Sequence, residues 1–251
     1  LLRLFTARMQ LGEFDDPNNV PWVTEARERV PQGTWTNSNN NNAITETPER
    51  LAMAREVGAK SLVLLKNSDT TRKDGSTGKL LPLEVPSSGA LNIAIIGYFA
   101  NPNSMYLGGY SSIQGSTAAS KLVNAYDGIK NAIQAVNPNA TVTYYKGFTG
   151  TGTTAANLTT VDSTAVTAAA EADMVIVYVG TDSGTANESG DRANITLPGA
   201  QASLIKQVAQ VNPNTIAVME TIGMMDVTTF EPYVSTMLWS CYNGQRKGEA
   251  L

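Results

Sequence analysis

The sequence predicts an α/β protein, an αβα sandwich built on a mostly parallel sheet. Short apolar runs rich in β-branched residues alternate along the chain with longer segments of helical spacing. Most of these runs are apolar throughout, which is typical of strands buried on both faces. Repeated strand–helix units of this kind place parallel strands side by side and put helices on both faces of the sheet.

The first 46 residues differ from the rest. Residues 1–15 have helical spacing that stops at Gly12, and residues 16–46 are rich in Pro and Asn, as in an interdomain linker. Thr47 and Pro48 then predict the start of a helix, with Thr47 as its N-cap and Pro48 in its first turn. We expect this helix to end near Ala59 and to lead into a strand over residues 61–65.

Strands and helices alternate from there onward. Each predicted strand is short and rich in Val and Ile, and each predicted helix has apolar residues three and four positions apart. We therefore expect one α/β domain over residues 47–251, in a chain that continues beyond both of its ends. The predicted strands cover residues 91–97, 141–145, 174–180, 215–219 and 235–240, and the predicted helices cover residues 121–136, 163–172 and 198–211, with another beginning in 244–251.

Composition excludes several kinds of site. The chain has no histidine, so it cannot by itself supply a Ser-His-Asp triad, a Cys-His pair or a His-ligated zinc. Cys241 is its only cysteine, and the apolar residues before it favour a small core residue over a nucleophile. The net charge of −4 offers no basic face for nucleic acid or an anionic membrane. No apolar run is long enough to cross a bilayer.

The loop over residues 182–192 (Asp-Ser-Gly-Thr-Ala-Asn-Glu-Ser-Gly-Asp-Arg) is the first candidate site. It follows a predicted buried strand, and open α/β sheets place their ligands at the carboxyl ends of such strands. Glu188 could act as a general acid, and Asp191 is expected to form an ion pair with Arg192. Retaining glycoside hydrolysis needs two carboxyl groups about 5–5.5 Å apart, which Glu188 and Asp191 alone do not provide. On the residues alone, the favoured interpretation of Glu188 is a solvated loop residue.

Two glycine-containing segments are further candidates. Residues 150–155 match a dinucleotide fingerprint through Gly150 and Gly152, with Asp182 as the ribose-binding acid. That fingerprint needs glycines that open a helix directly, whereas the polar residues 156–163 intervene here. Residues 108–110, which are Gly108, Gly109 and Tyr110, could line a substrate cleft or form an ordinary surface loop.

A series of short motifs also follows a fixed order along the chain. The motifs are residues 59–67 with 81–83, 93–97 with 108–111, 188–192, 197–201 with 204–205, and 238–239 with 244–245 and 248–251. This order resembles the second, α/β-sandwich domain of glycoside hydrolase family 3, the β-glucosidases and β-xylosidases. The resemblance covers residues 47–251, and the fixed order is more specific than any single motif. Residues 1–15 resemble the last helix of the (β/α)₈ barrel that precedes this domain in the family.

The resemblance implies a retaining, exo-acting β-glycosidase that hydrolyses terminal β-linked sugars. Glu188, three residues before Asp191 and Arg192, would be its acid/base residue, and those two neighbours would support the loop. The nucleophile would be an aspartate of the barrel, supplied by the same protein or by a companion chain, so we expect this chain alone to be inactive. The resemblance implies an oligosaccharide or an aryl or alkyl glycoside as substrate, and no cofactor, metal, nucleic acid or membrane.

Departures from the family pattern bear on the substrate. Xylosidase-like members often carry a further glutamate where this chain has Ala186, and a proline where it has Asn243. The long loop and residues 180–182 nevertheless favour the xylosidase and arabinosidase branch. Two alternatives stay open: a non-catalytic scaffold domain that packs on the barrel, and, less favoured, a dinucleotide-binding domain.

Overall fold

The computed structural model describes residues 1–29, 47–102, 107 and 122–251. The chain divides into two compact units, Leu1–Met53 and Ala54–Leu251. Among the described residues, no helix combines the length and the apolar character needed to span a membrane.

The described residues of the first unit are largely helical, and its last helix continues into the second unit. Helix α1 covers Leu2–Gln10, a 3₁₀ turn covers Pro17–Asn19, and helix α2 covers Pro21–Arg29. Helix α2 lies within residues 16–46, where a linker was predicted. It can begin at Pro21 because a proline fits the first turn of a helix, where its missing N–H is not needed. Helix α3 covers Pro48–Lys60, and the backbone N–H of Arg50 donates to Oγ1 of Thr47 at 3.4 Å. The predicted N-cap is therefore confirmed.

A six-stranded sheet forms the centre of the second unit. Its strands lie in the order β1-β8-β7-β6-β4-β5, and all neighbours are parallel except β1, which is antiparallel to β8. The predicted fold class is confirmed. The strands are β1 Val63–Asn67, β4 Leu91–Ile96, β5 Ala140–Tyr145, β6 Met174–Gly180, β7 Thr215–Glu220 and β8 Thr236–Ser240, and a separate hairpin pairs β2 Thr70–Thr71 with β3 Thr77–Gly78.

Among the described residues, three helices pack on this sheet, α4 Ala125–Val136, α5 Ser163–Glu171 and α6 Gln201–Val211, and a short helix, α7, covers Lys247–Ala250. Helix α5 packs against α6, and α4 packs against α7. Each long helix turns its apolar stripe inward, as Leu204, Ile205 and Val208 do on α6. Strand β6 is buried from Val175 to Gly180, as expected for a strand covered on both faces.

The fold corrects the placement of Cys241 expected from sequence. It is exposed rather than part of the core. Strand β8 ends at the buried residue Ser240, and consecutive residues of an extended chain face opposite sides, so the next side chain turns toward solvent.

Candidate active site

The order of the strands reverses between β4 and β6. The chain places β5 on one side of β4 and then crosses to the other side, where β6, β7 and β8 follow in turn. In open α/β sheets, such a reversal leaves a crevice at the carboxyl ends of the two strands, where ligands bind. The loop that follows β6 therefore starts at the edge of the sheet where a ligand is expected.

Thr181 fixes the base of this loop. Its backbone N–H donates to the carbonyl oxygen of Glu220 at the end of β7, at 3.0 Å. Its hydroxyl accepts from the backbone N–H of Ile222 at 2.9 Å and lies 2.7 Å from the hydroxyl of Tyr242. These bonds join the carboxyl ends of β6 and β7 to the segment after β8.

Glu188 lies at the tip of a tight turn. Asn187 and Gly190 pair through their backbones, with N–H to carbonyl distances of 2.9 and 3.1 Å, and Glu188 and Ser189 form the turn between them. The Asn187 side chain stiffens the turn: its Oδ1 accepts from the Ser189 N–H, and its Nδ2 donates to the Ser183 carbonyl, both at 3.1 Å. The Glu188 carboxylate is exposed and has no hydrogen-bond or ion-pair partner among the described residues.

Arg192 and Asp191 do not form the ion pair expected from sequence. Arg192 is half-buried, and its Nη1 donates at 2.7 Å to the carbonyl oxygen of Met224, in the segment after β7. Asp191 is exposed and, within the described part of the chain, makes no ion pair. The guanidinium is drawn to a carbonyl on the neighbouring loop, so Arg192 ties two loops together without its neighbour.

Asp182 links the loop to the segment before α5. Its Oδ2 accepts from the backbone N–H of Ala155 at 2.7 Å, and its Oδ1 accepts from that of Gly184 at 3.0 Å. The carboxylate is thus engaged in joining two loops. The glycines at 150 and 152 do not open an α-helix, because only a 3₁₀ turn over Ala155–Asn157 follows them before α5 begins at Ser163, behind its N-cap Asp162. The geometry that a dinucleotide fingerprint requires is therefore missing. Residues Gly108, Gly109 and Tyr110, the third candidate, lie outside the described residues.

Comparison with known protein families identifies the family of this chain. The model of the glycosyl hydrolase family 3 C-terminal domain matches residues 62–251. The chain belongs to glycosyl hydrolase family 3. The resemblance predicted from the order of its motifs is thereby confirmed.

Family 3 relatives span the whole of the present chain. An exo-1,4-β-xylosidase of Aspergillus oryzae is 32% identical over 251 residues, which cover 99% of this chain and 26% of the relative. The chain thus spans about a quarter of the length of that relative. A family 3 exo-β-xylosidase solved in complex with a xylobiose aziridine probe is 26% identical, with a TM-score of 0.60 over 82% of this chain and 25% of that one. A β-glucosidase of Bifidobacterium adolescentis has the same fold, at 24% identity and a TM-score of 0.64 over 93% of this chain and 29% of that one.

The sequence analysis of this family 3 domain did not predict a buried trio formed by Tyr178 and the ion pair of Glu220 with Lys247. Lys247 Nζ donates to both carboxylate oxygens of Glu220, at 2.7 and 2.6 Å, and the Tyr178 hydroxyl donates to Oε2 of Glu220 at 2.8 Å. Burial, and then the nearby Glu220 carboxylate, raise the pKa of Tyr178 well above 10. The sequence feature that could have indicated this trio is Glu220, a glutamate that directly follows the apolar predicted strand over residues 215–219.

Among the described residues of this family 3 domain, no group of three or more Cys, Asp or Glu side chains is arranged to hold a metal ion.

Proposed function

We propose that the chain supplies the acid/base half of the active site of a retaining, exo-acting β-glycosidase, with Glu188 as the acid/base residue. One observation carries the proposal. Glu188 stands at the tip of a stiffened turn, at the edge of the sheet where the strand order reverses, and its carboxylate has no partner among the described residues. A carboxylate that must hold a proton and then take one cannot be fixed in a permanent ion pair.

The mechanism assigns two steps to this carboxylate. As an acid, Glu188 protonates the oxygen of the leaving group while a second carboxylate attacks the sugar carbon. As a base, it then takes a proton from the water that releases the sugar from the second carboxylate. The second carboxylate belongs to a barrel domain in the full-length protein, about 5–5.5 Å from Glu188 in the assembled site. Arg192 keeps the loop in place through its bond to the Met224 carbonyl.

The substrate is a terminal β-linked sugar of an oligosaccharide or of an aryl or alkyl glycoside. The similarity to the Aspergillus oryzae exo-1,4-β-xylosidase favours a β-xyloside over a β-glucoside. The departures at Ala186 and Asn243 do not alter the position of Glu188 relative to Asp191 and Arg192.

The test is Glu188→Ala in the full-length protein. We expect the rate on β-xylosides with poor leaving groups to fall about 10²–10⁴-fold, the usual contribution of general acid–base catalysis. Azide, a nucleophile that needs no deprotonation, should restore part of the rate on activated aryl xylosides. Glu171→Ala is the matched control, because Glu171 is exposed on α5, away from the loop. Unchanged rates in Glu188→Ala would discard the proposal in favour of a non-catalytic scaffold domain.

A further inference from the structure

An open cavity of about 510 Å³ lies beside the Glu188 turn. Its lining comes from residues 184–185, 191–194 and 196–199, all between β6 and α6, and from Ala156 in the segment before α5, so two separate segments of the chain meet around it. The volume is within the range of small-molecule sites, about 300–1,000 Å³. Neither the sequence motifs nor the proposed acid/base chemistry accounts for this space.

The walls of the cavity are held by backbone hydrogen bonds. The Ala200 N–H donates to the Leu158 carbonyl at 2.7 Å, and the Asp226 N–H donates to the Ile195 carbonyl, also at 2.7 Å. Gly199 has a φ of +67°, and a Cβ there would lie 2.6 Å from the carbonyl oxygens of Ala155 and Leu158. Only glycine allows the loops to approach this closely. The cavity is therefore formed before any ligand arrives, which lowers the entropic cost of binding.

Several polar side chains of the cavity have hydrogen-bond donors or acceptors that no described residue uses. The Asp191 carboxylate, an acceptor, has no partner among the described residues. Arg192 uses Nη1 on the Met224 carbonyl, and its Nε and Nη2 have no hydrogen bond to a described residue. Asn194 accepts at Oδ1 from the N–H and the hydroxyl of Thr196, so its Nδ2 is likewise a donor in reserve.

The combination of one carboxylate acceptor with guanidinium and amide donors indicates which chemical class of ligand fits the cavity. A carboxylate beside guanidinium and amide donors matches neighbouring hydroxyl groups, each of which both donates and accepts. The carboxylate repels an anion, and the open, mostly polar lining offers an apolar molecule little apolar surface. The complementary ligand is a neutral, polyhydroxylated molecule.

We propose that this cavity binds the sugar on the leaving-group side of the scissile bond, with Asp191 as its principal acceptor. The inference rests on the proposed function, because Asp191 is three residues from Glu188, and a leaving group protonated by Glu188 would lie at this end of the loop. Asp191 then acts as a ligand-binding residue rather than as a brace for the loop.

The test uses the 251-residue chain, isotopically labelled and produced in a bacterial host, so that Asn194, which begins an Asn-x-Thr sequence, carries no glycan. Xylobiose is titrated while the backbone amide resonances are followed by NMR. We expect saturable shifts at Gly184, Ala193, Asn194 and Thr196, and no such shifts with sodium acetate.

Two variants make the test specific. Asp191→Asn should weaken xylobiose binding about tenfold, as expected for loss of a hydrogen bond to a charged group. Asp69→Asn is the matched control: Asp69 is exposed and follows β1, whose last residue pairs with the first residue of β8, at the opposite edge of the sheet. Its affinity should equal that of the unaltered chain. Absence of saturable shifts, or equal affinity in Asp191→Asn, overturns the inference.

The outcome is separable from that of the proposed function. Xylobiose binding that depends on Asp191, together with full activity of Glu188→Ala in the full-length protein, supports the sugar site and discards the acid/base assignment. Activity that depends on Glu188, without xylobiose-dependent shifts in the chain, overturns the sugar site and keeps the acid/base assignment.

Discussion

At the scale of single residues, the trio of Tyr178, Glu220 and Lys247 holds two buried charges whose removal from water opposes folding. The side chains of Lys247 and Glu220 are 3% and 4% exposed, so both charges have lost nearly all of their water. Removing charges from water costs several kcal/mol each, and only close pairing and further hydrogen bonds offset that cost. The two Lys247 bonds and the Tyr178 hydroxyl provide them. The trio is therefore stable as a unit and unstable when one member is lost.

Lys247→Met tests this dependence. The substitution leaves the Glu220 carboxylate buried and unpaired, and we expect the free energy of unfolding to fall by about 3–5 kcal/mol. The double variant Glu220→Gln/Lys247→Met removes both charges and should lose less than Lys247→Met alone. Urea denaturation measures the free energy of unfolding of the unaltered 251-residue chain, of Lys247→Met and of the double variant.

Lys66→Met is the control for that series. Lys66 pairs with Glu231, but the two side chains are 24% and 39% exposed, so the loss should be no more than about 1 kcal/mol. Equal losses for Lys66→Met and Lys247→Met would show that the buried position of the trio has no energetic consequence.

Tyr178 also predicts how stability changes in alkali. Its folded-state pKa is raised, so the folded protein keeps this proton while the unfolded chain releases it near pH 10. The stabilisation is complete below pH 10 and is lost as pH rises from there toward the folded-state pKa, at about 1.4 kcal/mol per pH unit for one group. Tyr178→Phe should unfold with a shallower alkaline slope in urea titrations at pH 9–11. An unchanged slope would show that Tyr178 titrates normally in the folded protein.

At the scale of elements, the contact between α4 and α7 depends on two glycines. A Cβ on Gly128 would lie 1.7 Å from the carbonyl oxygen of Gly248, so the two backbones touch. Gly→Ala within a helix usually stabilises by about 1 kcal/mol. Here we expect Gly128→Ala to destabilise by about 1–3 kcal/mol, because the added methyl group overpacks a closed contact.

Hydrogen exchange locates the effect of Gly128→Ala. The Gly248 N–H, which donates to the Val123 carbonyl at 2.9 Å, should exchange faster in the variant, since α7 must move away. Asn131→Ala, at an exposed position of the same helix, should be neutral or slightly stabilising. A Gly128→Ala protein as stable as Asn131→Ala would refute the close contact.

Elements with a strong apolar pattern could be predicted from sequence, and elements set by side-chain hydrogen bonds could not. Strand β6 has the predicted bounds, residues 174–180, because six consecutive buried positions need six apolar or small residues. Helix α6 begins at Gln201 rather than at Pro198, since the Gln201 side chain turns inward to bond the N–H and carbonyl of Gly180, both at 2.8 Å. The β2–β3 hairpin was missed because its strands are two residues long and polar.

At the scale of the whole molecule, the sequence located the loop but not its internal contacts. The apolar run over residues 174–180 placed residues 182–192 at the carboxyl end of a buried strand, and the structure has them there. Ala155, one partner of Asp182, and Met224, the partner of Arg192, lie 27 and 32 residues away along the chain, and no local pattern reveals bonds of that range. The expected ion pair between Asp191 and Arg192 was inferred from adjacency in sequence, which does not fix where two side chains point.

The division of labour between domains gives the last prediction. If Glu188 is the acid/base residue and the nucleophile belongs to a barrel, the 251-residue chain should not hydrolyse aryl β-xylosides, even ones whose leaving groups need no protonation, because no carboxylate is available to attack the sugar carbon. The measurement is release of p-nitrophenol or dinitrophenol by the purified chain, compared with the full-length protein. Glu188→Ala in the isolated chain is the control for contaminating glycosidases and should give the same background. Turnover by the chain alone that disappears in Glu188→Ala would mean that both catalytic carboxylates lie within these 251 residues, and the barrel would then be needed only for binding.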